Sequence, residues 1–199
     1  MKRILSLCMA GCLLWTCTLS VSALSYTVAK GDTMWKIASR YQIGTDEIIL
    51  ANPQISNPDL IYPGQVLTVP EVDASVSAFE NEVIRLINEI RTEKGLKTLA
   101  ANWELSRVAR FKSQDMKDYR YFSHISPTYG SPFQMIKAFG LSFRTAGENI
   151  AYGQRSPKAV VNAWMNSSGH RANILNGAYS EIGVGYVADG NYWTQMFIG

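Results

Sequence analysis

The sequence predicts an α+β protein in two parts, a small βααβ module over residues 26–70 and a larger, helix-rich domain over residues 79–199 that ends in an antiparallel hairpin. Three observations lead there. Short β-prone runs at Tyr26-Thr27-Val28 and Val66-Leu67-Thr68-Val69-Pro70 bracket two short helical segments. Apolar residues recur at helical spacing across much of residues 79–164. Near the end, Ile182-Gly183-Val184-Gly185-Tyr186-Val187 and Tyr192-Trp193-Thr194-Gln195-Met196-Phe197-Ile198 flank Ala188-Asp189-Gly190-Asn191, a hairpin signal. A chain of 199 residues has room for one ordinary domain and a small one, and with 47% hydrophobic residues against 18% charged it can bury a core.

Residues 1–23 read as a signal peptide. Lys2 and Arg3 precede an uncharged apolar run over residues 4–19, and Val21-Ser22-Ala23 supplies a small-residue cleavage pattern, with the cut expected after Ala23. The run is barely long enough for the rival reading, an uncleaved anchor, and lipidation at Cys12 or Cys17 suits the flanking residues poorly. Cys8, Cys12 and Cys17 all lie in this leader, so the mature chain is expected to contain neither disulfides nor a thiol nucleophile. The formal net charge is +3, and Lys2 and Arg3 account for two of those charges. The remainder is nearly neutral and has no Lys/Arg block, which argues against nucleic acid as a partner.

In the first module the opening strand stops at Lys30-Gly31-Asp32, where Asp32 or Thr33 can cap a helix carrying Trp35, Ile37, Ala38 and Tyr41 at helical spacing. Gly44 ends that helix, Thr45 or Asp46 starts a second with Ile48, Ile49 and Leu50, and Asn52-Pro53 closes it. Ile61-Tyr62-Pro63-Gly64-Gln65 then turns the chain into the returning strand. These runs, with Gly31-Asp32-Thr33 and Asn52-Pro53, resemble the LysM family along its whole length. The resemblance implies binding of N-acetylglucosamine polymers, peptidoglycan or chitin, in a shallow groove with Gly31, Asp32, Thr33 and Met34 on one side and Leu60, Ile61 and Tyr62 on the other. Asp32 and Thr33 equally suit helix capping, and Tyr62 equally suits the module's own core. A single copy implies weak binding, since linked copies are what raise avidity.

Residues 71–78, Glu-Val-Asp-Ala-Ser-Val-Ser-Ala, show no strong periodicity and read as a linker that lets the two parts move independently. Beyond it, Phe79, Val83, Leu86, Ile87 and Ile90 share one helix face that stops at Gly95. Asn102 caps a second helix with Leu105, Val108, Ala109 and Met116, Pro132 begins a third through Phe133, Ile136 and Phe139, and Ser156-Pro157 begins a fourth with Val160, Val161 and Trp164 inward.

The two histidines of the chain, His124 and His170, are the side chains best suited to proton transfer or metal binding near neutral pH. They lie in Phe122-Ser123-His124-Ile125-Ser126 and Ser168-Gly169-His170-Arg171-Ala172-Asn173, with Gly147-Glu148-Asn149-Ile150 between. Together with Trp164-Met165-Asn166-Ser167, Gly183-Val184-Gly185-Tyr186 and Trp193-Thr194-Gln195, these segments resemble the CAP superfamily (cysteine-rich secretory, antigen 5, pathogenesis-related 1) in its bacterial SCP-like branch. The resemblance implies an α-β-α sandwich and a cleft formed by His124, Glu148 and His170, with zinc or another divalent cation held by His124 and His170 in some members. A fourth, acidic position of the family is occupied here by Ser167, and Glu181 is not aligned to replace it.

Two readings of the cleft stand side by side. Two His and one Glu can hold zinc with a place left for water, Glu148 then acting as ligand or general base. Equally, the three can form a buried hydrogen-bonded cluster that fixes loops, with Asn149, Arg171 and Asn173 in support. No His-Glu-x-x-His or Gly-x-Ser-x-Gly segment is present. The leading expectation is therefore an exported cell-wall or spore-envelope protein that binds peptidoglycan through its first module and a ligand, or an envelope or spore protein partner, through its second. The alternative is a metal-dependent hydrolase of wall material or protein.

Overall fold

The computed structural model describes residues 23–199. The expected leader, apart from Ala23, lies outside the described residues.

The first module has the predicted βααβ order: β1 (Ala23–Thr27), α1 (Met34–Arg40), α2 (Thr45–Leu50) and β2 (Val66–Pro70). The strands pair antiparallel, Ala23 opposite Pro70, so β1 starts three residues before the module boundary expected at residue 26. Val28, Met34, Ile37, Ala38, Ile43, Ile48, Leu67 and Val69 form a core of their own. Asn52, fully enclosed, ties the halves together: its Nδ2 donates to the Ile48 and Thr68 carbonyls, both at 2.7 Å, and its Oδ1 accepts from Thr68 N at 2.8 Å. A buried amide satisfied on both ends in this way fixes α2 against β2. Trp35 departs from the expected inward position and stands exposed, because a seven-residue α1 has one buried stripe and Met34, Ile37 and Ala38 fill it.

The linker expected over residues 71–78 is corrected to three residues. Helix α3 (Ala74–Glu93) begins inside it, with Asp73 as its cap accepting from Ser75 N at 2.8 Å. Small polar residues hid the helix's start, although Val76 already packs against the same core as Phe79 and Val83. Nor are the modules independent. Arg107 donates to Glu47 Oε1 of the first module at 3.0 Å, and its guanidinium lies 5.1 Å from the Phe111 ring centre and 5.0 Å from that of Phe139. Gly44 rests against the same guanidinium, where an added Cβ would sit 2.0 Å from Nη2.

The larger domain continues with β3 (Ala100–Ala101), α4 (Trp103–Asp118), α5 (Pro132–Ala138), β4 (Ala146–Tyr152), α6 (Pro157–Asn166), α7 (Ser168–Ile174), β5 (Glu181–Val187) and β6 (Tyr192–Ile198). The sheet order is β3-β5-β6-β4, with β3 parallel to β5 and the remaining pairs antiparallel. On one face α3, α6 and α7 close over Ile182, Val184, Tyr186, Trp193 and Phe197. On the other, α4 and α5 pack against Met196 and Ile198. Strand alternation separates the two sets, giving the α-β-α sandwich.

Helix α4 lies directly on β5 because two glycines remove the side chains between them. A Cβ on Gly183 would sit 2.3 Å from Leu105 C, and one on Gly185 would sit 2.0 Å from Arg110 N. On the helix side the facing residues are small or hydroxylated: Ser106 Oγ accepts from Val184 N at 3.1 Å, and Ser113 Oγ donates to the Gly185 carbonyl at 3.0 Å. Nearby, Glu80 of α3 is buried, pairing with Arg110 Nε at 2.9 Å and accepting from Tyr186 N at 3.0 Å.

Two predictions follow from this packing. Gly185→Ala places a methyl group inside the α4 backbone and is expected to lower unfolding stability by at least about 2 kcal/mol, whereas Gly177→Ala, with nothing within 4 Å of the new Cβ, should change it by less than about 0.5 kcal/mol; denaturant titration of both variants decides. Burial pushes the Glu80 carboxyl up to about 7 against the pull of Arg110 and the Tyr186 amide. A carboxyl whose folded-state pKa is raised favours the folded chain most at pH below about 4.5 and loses that contribution as pH climbs through 7. Glu80→Gln should therefore flatten the decline of stability between these limits, even if it lowers stability throughout; an unchanged slope would contradict the assignment.

Candidate functional site

The three residues singled out in the sequence converge at the open edge of the sheet. Glu148 lies on β4, the outermost strand, with its side chain on the α4 face. His124 comes from the loop after α4, and its Nδ1 lies 2.7 Å from Glu148 Oε1. His170 stands on α7, in the opposite layer, and is close enough that the charge of His124 is felt there. The pair is unequally exposed: the Glu148 side chain is 2% accessible and that of His124 is 52%.

Each member is held by elements behind it. The loop bearing His124 is anchored on α4, where Asp115 accepts from Ser126 Oγ at 2.7 Å, from Thr128 Oγ1 at 2.6 Å and from the Tyr121 hydroxyl. Lys112, enclosed beneath the loop, donates to the His124 carbonyl at 3.1 Å and to Tyr121 Oη at 3.0 Å. On the other side, Asn149 Nδ2 holds the His170 carbonyl at 3.1 Å and Gln195 Oε1 at 2.9 Å. Asn173 Nδ2 reaches the Glu148 carbonyl at 3.1 Å and Asn149 Oδ1 at 2.9 Å. Arg91, buried in α3, closes the C-terminal end of α7 by donating to the Ile174 carbonyl at 2.7 Å and the Asn176 carbonyl at 2.9 Å, where unpaired carbonyls concentrate negative potential. Arg171 donates to the Met165 carbonyl at 2.7 Å and so joins α7 to α6.

Burial raises the Glu148 carboxyl above its ordinary value, opposed by the hydrogen bond from His124 and the charge of Lys112. Burial likewise lowers Lys112, opposed by Glu148 and Asp115. For Asp115 burial acts upward, yet the hydroxyls of Thr128, Tyr121 and Ser126 outweigh it and hold the carboxyl below the usual range. Glu148 Oε2 is buried with no protein group donating to it.

Among the described residues no group of three or more His, Cys, Asp or Glu is arranged to hold a metal ion. Glu148 Oε1 is engaged with His124 Nδ1. Ser167, where the family places a further acid, begins α7, and Glu181 is held by Asn102 on β5, separated from β4 by β6.

Of the seven residues expected along the first module's groove, Gly31, Thr33, Leu60 and Tyr62 are exposed, and Leu60 and Tyr62 are the large apolar ones. Gly31 turns the chain with φ +88° and its carbonyl accepts from Lys36 Nζ at 2.8 Å. Asp32 is committed internally, accepting from Tyr26 Oη at 2.5 Å and Ala29 N at 2.8 Å, and Thr33 caps α1 through Lys36 N at 3.1 Å. Met34 lies in the module core, and Ile61 packs against it.

Sequence reasoning missed Lys112, Asp115, Tyr121 and Gln195. A signal existed for the first two, polar residues three apart on an otherwise apolar helix face; Gln195 was visible only as part of a motif.

Burial, reinforced by the charge of His124, lowers His170 below its ordinary 6.5. A histidine so lowered favours the folded chain above that value and loses the contribution as pH falls through its depressed pKa. In His124→Gln the like charge is gone, so the His170 midpoint followed by NMR should rise; an unmoved midpoint would show that the imidazoles are uncoupled.

Comparison with known proteins agrees with this architecture. The LysM domain model matches residues 26–70, and the CAP model, described as the cysteine-rich secretory protein family, matches residues 84–197. An uncharacterized protein of Bacillus subtilis (strain 168), YkwD, is 59% identical over 132 residues, which are 66% of this chain and 51% of YkwD. The chain thus spans about half the length of that relative. The spore coat assembly protein ExsA of Bacillus cereus is 51% identical over 45 residues, 23% of this chain and 7% of ExsA. Among solved structures, an extracellular protein containing a SCP domain from Bacillus anthracis str. Ames matches with a TM-score of 0.60 and 34% identity over 68% of this chain and 47% of that one. Although residues 23–199 contain no cysteine, the chain belongs to the CAP, or cysteine-rich secretory protein, family and carries a LysM domain ahead of its CAP domain.

Proposed function

We propose that this is an exported cell-wall or spore-envelope protein that attaches to peptidoglycan or a related N-acetylglucosamine polymer through its LysM domain and presents its CAP cleft to a ligand or to an envelope or spore protein partner. The observation that carries the reading is the LysM match over residues 26–70, in a module whose Leu60 and Tyr62 stand exposed where the family's groove is expected. Backbone groups in the Gly- and Pro-containing loops, together with these two apolar surfaces, suit a neutral acetamido sugar. The spore context draws support from the ExsA match to the same module. No helix among the described residues is long and apolar enough to cross a membrane.

The cleft supports binding better than turnover. Glu148 fixes the orientation of His124, which suits a bound ligand; a metal-dependent hydrolase of wall material or protein is the alternative reading of the same residues.

Co-sedimentation of residues 24–199 with purified peptidoglycan tests the reading. Leu60→Ala/Tyr62→Ala should reduce the bound fraction several-fold, while His124→Ala/His170→Ala should bind as the parent does. Equal binding by the first variant would refute attachment through this groove. Zinc analysis of the same preparations checks the alternative: substoichiometric zinc is expected, and a full equivalent lost in the double-histidine variant would revive the hydrolase reading.

A further inference from the structure

A row of aromatic rings, Phe122 and Tyr152 exposed and Tyr192 half-buried, lies beside the His124–Glu148 pair. Phe122, two residues before His124, is 55% exposed, and Tyr152, four residues after Glu148 on β4, is 54% exposed. Their ring centres are 6.4 Å apart, and Tyr152 lies 4.6 Å from Tyr192, its cross-strand partner on β6. Strand alternation puts Glu148 and Tyr152 on the same face of β4, and the rise of a strand separates them by about 13 Å. The three rings are tilted by about 50° and 46° from ring to ring. They form a set of stepped platforms and not one flat hydrophobic patch.

The polar end of this row is equally defined. Glu148 Oε1 engages His124 Nδ1, which leaves Nε2, on a side chain 52% exposed to solvent, as the ring nitrogen open to a ligand. The second carboxylate oxygen is buried with no protein group donating to it. Lys112, enclosed under the loop, is spent on Tyr121 and the His124 carbonyl and does not present its charge to this face.

An oriented imidazole nitrogen at one end of a row of separate aromatic faces suits a neutral, hydroxylated chain molecule, whose rings stack on successive aromatics while a hydroxyl, able to donate or accept, reaches the imidazole. We propose that Phe122, Tyr152, Tyr192 and His124 form a glycan-binding site on the CAP domain that takes a short N-acetylhexosamine oligomer. The choice of sugar rests on the LysM domain's attachment to that polymer, as proposed above, which keeps such chains at high local concentration beside this face.

The two histidines are the only ones in the chain and serve as reporters. Chitotetraose is titrated into residues 24–199 while the imidazole signals of His124 and His170 and the amide signals of Gly31 and Gly64 are followed by NMR. The expected result is a saturable shift of His124 that Tyr152→Ala and Phe122→Ala each weaken roughly five- to tenfold, and that Tyr152→Phe preserves. The Leu60→Ala/Tyr62→Ala variant should lose the glycine-amide response and keep that of His124. Shifts at Gly31 and Gly64 with His124 unmoved would overturn the CAP-domain site and leave the LysM reading intact. A His124 response without one at the glycines would refute the LysM reading alone. A His124 response to a short wall-type peptide but not to the sugar, or one indifferent to both aromatic truncations, would also overturn the proposal.

Discussion

The contact on which the rest of the CAP domain depends is backbone against backbone: α4 resting on β5 at Gly183 and Gly185, where an added Cβ would lie 2.3 Å and 2.0 Å from helix main-chain atoms. Interiors this closely packed have no slack to absorb a methyl group. The approach sets the height of α4 above the sheet, and that height decides where its side chains fall. Leu105, Val108 and Ala109 enter one core with α5, Ser106 and Ser113 bond to the strands, and Lys112 and Asp115 arrive at the level of the His124 loop. Two glycines in a strand are a weakness by propensity alone. Here they allow the helix–sheet contact that carries the site.

The edge strand shows how the same residues serve fold and cleft together. An unpaired edge invites other strands to add to it. On β4 the Glu148 carbonyl accepts from Asn173 Nδ2 and the Ile150 carbonyl from Trp164 Nε1, so the edge is occupied by side chains of α7 and α6. Those bonds also fix α7, and with it His170, while Arg91 secures the far end of the same helix. The cleft is therefore built where the sheet had to be closed in any case. The features that closure does not account for are the lone Glu148 Oε2 and the exposure of His124, Phe122 and Tyr152.

Much of this was legible in the sequence because it depends on local rules. Asn102, Ser156 and the Asp189-Gly190 turn each announce themselves through capping or turn chemistry, and the helices and hairpin they bound are present. His124, Glu148 and His170 were legible as residue types within motifs. What escaped were features decided by neighbours distant in sequence. Trp35 has helical spacing, but the size of the module's core, not the spacing, leaves it outside. Residues 74–78 are small and polar, and only Val76 meeting the core reveals them as the first turn of α3. Lys112 and Asp115 interrupt an apolar helix face, but what they hold is decided by the loop after α4 folding back over them.

The short link between the domains changes what attachment through the first can mean for the second. With a flexible linker of eight residues, a CAP domain tethered to a polymer would sample many orientations, and its cleft would meet that polymer only as often as chain statistics allow. Three residues, and Arg107 packed near Phe111 and Phe139 while paired to Glu47, leave less of that freedom. The guanidinium is the kind of group for which this arrangement is suited, since it stacks on aromatic faces and bonds in its own plane at once. A polymer bound at Leu60 and Tyr62, as proposed, would then meet the CAP domain from a narrower range of directions than a flexible eight-residue tether allows.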